Sequence, residues 1–248
     1  MRRIAMCLTV VSFALSSCTK INFAEYWKHP GQLRFCNIAA WTDSPGDESS
    51  ETRTNVFTYD EHGNPLSVIP DQHGTGNGSH FFSYDTQERL VSYEYEFVKT
   101  KVFHYQENKS RADSATVTDA FGREFSEVYT YDTKGRIIKS VLTFVSSPFE
   151  EDAFPPETRD YVYLNDDLNS MIVNGVQQNP DVTYSDKPSV FMTNKVWKFV
   201  NQNYSKHAVN AVASTNRIGL PASFGEDEYE FPFLDIQAPG STIKYQCE

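Results

Sequence analysis

One short pattern recurs along the chain and limits its fold more than any other feature. FTYDEHGNPL at residues 57–66 returns in outline as FSYDTQERLV and YTYDTKGRII. Aligned on the tyrosine, the copies centre on Tyr59, Tyr84, Tyr105, Tyr131 and Tyr163. Two residues before each stands a second aromatic: Phe57, Phe82, Phe103, Tyr129 or Tyr161. A spacing of two places both rings on one face of a β-strand. Between them lie Thr58, Ser83, His104, Thr130 and Val162, mostly small or polar, as suits the opposite face. Asp60, Asp85 and Asp132 follow the tyrosine, and Gly63, Glu88 and Gly135 stand three residues further on. An Asp at the first position of a type I turn bonds main chain two residues on. A Gly at the fourth position supplies a positive φ, so the chain starts back as a hairpin with a bulge. Each copy therefore reads as strand, tight turn, strand.

The tyrosines are 25, 21, 26 and 32 residues apart, and the variation falls in loops such as PDQHGTGNGSH and SSPFEEDAFPPET. The third copy, FHYQENKSRAD, has neither the Asp nor the Gly, and the fifth, YVYLNDDLNSMIV, has drifted in register. Hairpins in series pair with their neighbours. The expected fold is all-β: an antiparallel meander of repeated hairpins in one sheet, strongly twisted or curled, because long sheets do not stay open and flat. A content of 18 Phe and 14 Tyr suits such half-buried pleated surfaces. Glu88 in the glycine place is expected to be strained by about 1 kcal/mol.

Tyr131-Asp132-Thr133-Lys134-Gly135-Arg136-Ile137 resembles the YD repeat, also called the RHS repeat; Tyr59 to Leu66 matches with Asn64 in the arginine place, and the Tyr84 copy keeps Asp85 and Arg89. The resemblance covers about residues 55–175. In large YD-repeat toxins such repeats coil into a shell around a toxic cargo; five copies are too few for one, and no cargo domain follows. The chain is more similar to small YD-repeat lipoproteins of Gram-negative bacteria, whose function is not established.

The N-terminus supports that likeness. MRRIAMCLTVVSFALSSC has two arginines, an apolar run from Ile4 to Leu15 and then small residues, the layout of a secretory signal. The run is too short to span a bilayer as a helix. Leu15-Ser16-Ser17-Cys18 resembles the bacterial lipobox, which implies cleavage before Cys18 and fatty acylation of that residue. The alternative is plain secretion. The organisation expected is a signal peptide at 1–17, an anchor and linker at 18–31, and one all-β YD-repeat-like domain at 32–248. Thr19 is not the Asp that retains relatives at the inner membrane, so the outer membrane is the expected location, on its periplasmic face. Residues 19–23 lack the acidic run that resembles a surface-export tag.

A formal charge of −11, more negative once Arg2 and Arg3 are removed, argues against nucleic acid as a partner and against a polybasic grip on lipid. The partners expected are the membrane, through the anchor at Cys18, and a glycan or an envelope protein. Cys7 leaves with the signal, so Cys36 and Cys247 are left, either as a disulfide or as two separate buried thiols. If they pair, an open meander with its termini at opposite edges is ruled out, since bridged Cα atoms lie within about 7 Å.

After the repeats the pattern breaks. Val196, Trp197, Phe199 and Val200 share one helical face, so a short helix is expected near 193–202, with Thr193 as its cap. Trp197 is read either as core or as the wall of a binding groove. RIGLPASF reads as another strand entry, and TIKYQC as a closing strand with Ile243, Tyr245 and Cys247 on one face.

No catalytic residue, metal site or cofactor is expected. His62, His73 and His80 belong to different turns, the acidic clusters GDESSE, FEED and GEDEYE contain no EF-hand loop, and no hydrolase, Walker or dinucleotide motif is present. Asp113-Ser114-Ala115 resembles an O-glycosylation acceptor; the alternative is a plain surface turn. The function expected is a non-enzymatic binding or scaffolding module of the envelope. The rival is a glycan hydrolase with two carboxylates about 5 to 10 Å apart in a sheet cleft.

Overall fold

The computed structural model describes residues 36–43, 52–72, 78–149, 153–178, 182–225, 233, 234, 236 and 240–247. The signal segment, Cys18, His73 and nearly all of the acidic clusters lie outside them. Twelve strands follow one another: β1 (Ile38–Asp43), β2 (Arg53–Tyr59), β3 (Pro65–Pro70), β4 (His80–Tyr84), β5 (Leu90–Tyr95), β6 (Lys99–His104), β7 (Ser114–Asp119), β8 (Glu124–Tyr131), β9 (Ile137–Ser146), β10 (Glu157–Leu164), β11 (Asp167–Val173) and β12 (Val176–Gln178). Then come β13 (Tyr184–Pro188), a 3-10 helix (Val190–Thr193), helix α1 (Lys195–Val200), β14 (His207–Val209), β15 (Val212–Thr215), β16 (Pro221–Phe224) and β17 (Thr242–Tyr245).

The five sequence copies are the five strands β2, β4, β6, β8 and β10, each with its tyrosine within one residue of the C-terminal end. Their turns all lie at one end of the sheet. Asp60 Oδ1 accepts from the main-chain N–H of His62 at 2.9 Å and of Asn64 at 2.8 Å, and Asp85 does the same for Gln87 and Arg89, both at 2.9 Å. Gly63 and Gly135 sit at φ 79° and 80°, and Glu88 is held at φ 58°. The drifted fifth copy turns through two left-handed residues, Asn165 and Asp166, with Leu164 opposite Asp167.

Side chains alternate across the sheet. Phe57, Phe82, Phe103, Tyr129 and Tyr161 are buried on the inner face, while Val56, Phe81, Val102, Val128 and Val162 are exposed on the outer one. Four of the five repeat tyrosines are stitched to the strand pair before them, while Tyr163 donates instead to the Gln202 carbonyl at 3.5 Å. Tyr59 donates to the carbonyl of Ile38 at 2.9 Å, Tyr84 to Pro65 at 2.9 Å, Tyr105 to Leu90 at 2.7 Å and Tyr131 to Ala112 at 2.8 Å. Tyr245 repeats the bond to Pro221 at 2.7 Å.

Fifteen strands form one antiparallel sheet in the order β12-β11-β10-β9-β8-β7-β6-β5-β4-β3-β2-β1-β17-β16-β15, and it does not close. β13 and β14 form a separate pair. The inner face is filled by the chain's own segment 189–206. Trp197 meets Phe57 and Phe82 edge-on at 5.8 and 5.5 Å, Phe199 meets Phe103 and Tyr129 at 4.8 and 5.9 Å, and Gln202 bonds Tyr161. In a flat sheet β2 and β10 would be about 38 Å apart, at about 4.8 Å per strand. Six residues of compact backbone reach both only because the sheet curls into a trough around them.

The return of the chain is the feature that a simple meander lacks. β17 pairs with β1, with Trp41 opposite Ile243 and Thr42 opposite Thr242. The N-terminal strand is therefore internal, and β15 and β12 are the edges. Cys36 and Cys247 are disulfide-bonded, with Cα atoms 4.9 Å apart. Cys36 and Cys247 meet without barrel closure, because β17, β16 and β15 cross over and extend the sheet beyond β1.

Two expectations need correction, while the short helix expected near 193–202 is present: it spans Lys195–Val200, follows a 3-10 turn, and is left behind where Gln202 turns out at φ 52°. Thr193 is not its cap: its hydroxyl donates back to Val190 at 2.7 Å, and Asn194 Oδ1 takes the N–H of Val196 at 3.0 Å. Asp113-Ser114-Ala115 is not a plain turn, since Ser114 and Ala115 are in β7 with Ala115 buried.

Candidate functional site

Trp197 is fully buried in the core, among Phe57, Phe82 and Phe233. His62 is exposed on its turn, and His80 is buried in β4, where its Nδ1 meets the Tyr93 hydroxyl at 2.9 Å and its ring stacks on Tyr95 at 4.4 Å. Burial, helped by Lys99, pushes the His80 imidazole down to about 4, so it is neutral at pH 7. Among the described residues, no group of three or more His, Cys, Asp or Glu is gathered where it could hold a metal ion. The turn residues Asp60, Gly63, Asp85, Asp132 and Gly135 do not converge on one point; they line the same rim of the trough.

That rim holds a cavity of about 360 Å³. It lies between α1 and the second, third and fourth hairpins, and its cause is legible in the repeat. The third copy has no Asp-x-x-Gly turn, so residues 106–111 form a wider loop. Tyr105, Tyr131, Tyr204 and Phe199 give the cavity apolar walls, and Arg89, Arg111 and Lys195 bring cationic groups. Burial pushes the Tyr105 hydroxyl up to about 12 and that of Tyr131 higher still, so both remain neutral donors. Arg89 stacks on Tyr105 with its Cζ 4.6 Å from the ring centre, and Arg111 lies over Tyr131 at 5.7 Å. Gly135 leaves the space that Arg111 uses: a Cβ there would come 2.0 Å from Nη2. Lys195 Nζ donates to the Glu88 carbonyl at 3.4 Å.

A second polar cluster lies deeper in the trough. Glu127 Oε2 takes Lys101 Nζ at 2.6 Å and the Tyr129 hydroxyl at 2.9 Å, and Oε1 takes Gln202 Nε2 at 2.8 Å. Burial alone would raise this carboxyl, but Lys101 and the three hydrogen bonds overcome it and hold it down at about 2. Glu127 and Glu157 are both opposite Leu142 of β9, hence on one face and two strand spacings apart, about 10 Å. Glu157 is bound to Arg159 at 2.6 Å. Each carboxylate is held by its own cation, and a group ionised above about 2 is no proton donor at neutral pH.

The sequence singled out the turns but not Arg111, Lys195 or Tyr204; the available signal was the loss of Asp and Gly from the third copy. No protein-family model matches the chain, and no curated protein matches it. A solved structure, that of the TcdB2–TccC3–Cdc42 complex, is similar over 55% of this chain and 9% of that chain, at 14% identity and a TM-score of 0.23. The chain thus spans under a tenth of that chain's length.

Proposed function

We propose that this protein is a non-enzymatic binding module of the cell envelope, a YD-repeat lipoprotein that is acylated at Cys18 and holds a glycan in the cavity beside α1. The observation that carries this reading is the cavity itself. Its volume of about 360 Å³ falls in the range of small-ligand sites, and it pairs aromatic walls with a few polar groups, as such sites do. Near β2 and β4 the sheet's aromatic face is covered by Trp197, whereas at the gap left by the third copy the rings of Tyr105 and Tyr131 stay half-buried and border the cavity. The ionised state of Glu127 favours binding over hydrolysis, since a glycosidase of this type needs one carboxyl that keeps its proton, and Glu157 is occupied by Arg159.

The anchor places the module at the periplasmic face of the outer membrane. No helix among the described residues is long and apolar enough to cross a membrane. Changing Cys18 to Ala releases the protein from the membrane fraction; an unchanged fraction overturns the anchor. A glycan array combined with a hydrolysis screen on the purified protein tests the rest. Retention of glycans without turnover is expected, and release of shortened products would move the assignment to a hydrolase.

A further inference from the structure

The arginines of the repeat share one arrangement. Arg89 Nε donates to Asp85 Oδ2 at 2.7 Å and Arg136 Nε to Asp132 Oδ2 at 2.7 Å. Each guanidinium then lies over the tyrosine of the next copy, Arg89 on Tyr105 at 4.6 Å and Arg136 on Tyr163 at 4.3 Å. Arg111 stands in the same place in the third copy. It immediately precedes Ala112, whose carbonyl takes the Tyr131 hydroxyl, just as Arg89 precedes Leu90, whose carbonyl takes the Tyr105 hydroxyl. It also lies over the next tyrosine, Tyr131.

The difference is the acid. The residue after Tyr105 is Gln106, which is neutral. Asp113 is taken up by the Gln106 N–H at 3.1 Å and by Lys109 at 3.2 Å, and Glu107, the other carboxylate of this stretch, is exposed. Among the described residues no carboxylate is paired with Arg111, and its guanidinium faces the cavity. An arginine fork matches a carboxylate in a two-pronged geometry, and such charge-assisted bonds are the stronger class.

We propose that the cavity takes a carboxylate-bearing sugar, a hexuronate unit, whose carboxylate fills the place of the aspartate that the third copy lacks. Lys195, across the cavity, supplies a second cation, and Tyr105, Tyr131 and Tyr204 supply ring faces and edges for the pyranose. The inference rests on the glycan-binding reading above and narrows it to acidic sugars.

The test is calorimetric titration of the full-length protein with methyl β-D-glucuronide, methyl β-D-glucoside and inorganic phosphate. Saturable binding of the glucuronide is expected, at least tenfold weaker in Arg111→Gln, with the glucoside not bound. Arg111 is exposed, so this variant keeps its melting temperature. Gln106→Asp gives a second readout: the restored Asp–Arg pair raises the melting temperature and weakens glucuronide binding, because the side chain competes for the same guanidinium. Equal binding of both sugars, unchanged in Arg111→Gln, overturns the carboxylate inference while the glycan-binding reading stands. Phosphate binding as tightly as the glucuronide makes this a simple anion site and overturns the sugar. Failure of the glucuronide to bind overturns the inference directly, and the glycan array judges the broader reading separately.

Discussion

The Tyr84 hydroxyl donates a 2.9 Å hydrogen bond to the main-chain carbonyl of Pro65, nineteen residues upstream and one hairpin back. The bond crosses between repeats, so it ties the Tyr84 hairpin to the one before it. Tyr84→Phe keeps the ring and removes the donor, leaving the carbonyl of buried Pro65 without that partner. A loss of about 1–2 kcal/mol is expected in urea unfolding. An unchanged midpoint would mean that water takes the place of the hydroxyl and that the stitching adds nothing.

Glu88 stands where Gly63 and Gly135 stand in their own copies, at φ 58° against their 79° and 80°. Only glycine enters this region freely. Glu88→Gly should raise stability by about 1 kcal/mol, read as a higher melting temperature. A decrease would show that the exposed contact of the Glu88 side chain with His62, at 3.5 Å, outweighs the backbone term.

Stability should fall with acid in two stages. The unfolded chain protonates His80 from about pH 6.5 downward, whereas the folded protein resists until about 4. Folding stability is therefore lost across that window, by about 3 kcal/mol on the linkage relation. Glu127 gives the same sign lower down: its stabilisation is complete above 4.5 and is lost as pH falls toward 2. Unfolding measured from pH 7 to pH 3 should show both stages. His80→Phe should flatten the first alone, and an unaltered slope between pH 6.5 and 4 would assign that stage to another group.

Cys36 and Cys247 close a loop of 211 residues. On chain entropy alone such a link stabilises by about 5 kcal/mol. Mass spectrometry of thiol-blocked, unreduced protein from the envelope should find one bridged peptide pair, and the Cys36→Ser, Cys247→Ser double variant should melt well below the parent. Blocked free thiols at both positions would refute the bridge.

The hairpin repeat was legible because its cause is local. A ring pair at spacing two, an Asp and a positive-φ residue decide strand and turn within ten residues, so β2, β4, β8 and their turns follow from the sequence. Two further turns of the same chemistry escaped notice. Asp119 Oδ1 accepts from Phe121 and Arg123, and Asn216 Oδ1 from Ile218 and Leu220, but neither residue follows a tyrosine. The pairing of β17 with β1 and the docking of α1 in the trough depend on contacts between distant segments, which no local pattern encodes. The cavity was hidden for another reason: it arises where a repeat element is missing, and the sequence shows the missing residues without showing what space they leave.

The internal position of β1 has a consequence for the order of events during synthesis. Residues 36–178 emerge before the segment that covers them and can pair hairpin by hairpin, since each partner is the next strand made. Their inner aromatic face then stays uncovered until Trp197 and Phe199 arrive, and one edge of β1 stays open until β17, which follows all the other strands. The nascent sheet is thus an aggregation-prone intermediate with an exposed ring-lined surface and a free strand edge. Chains truncated before residue 190 should be recovered with chaperones or in inclusion bodies, although nearly all of the repeat is present.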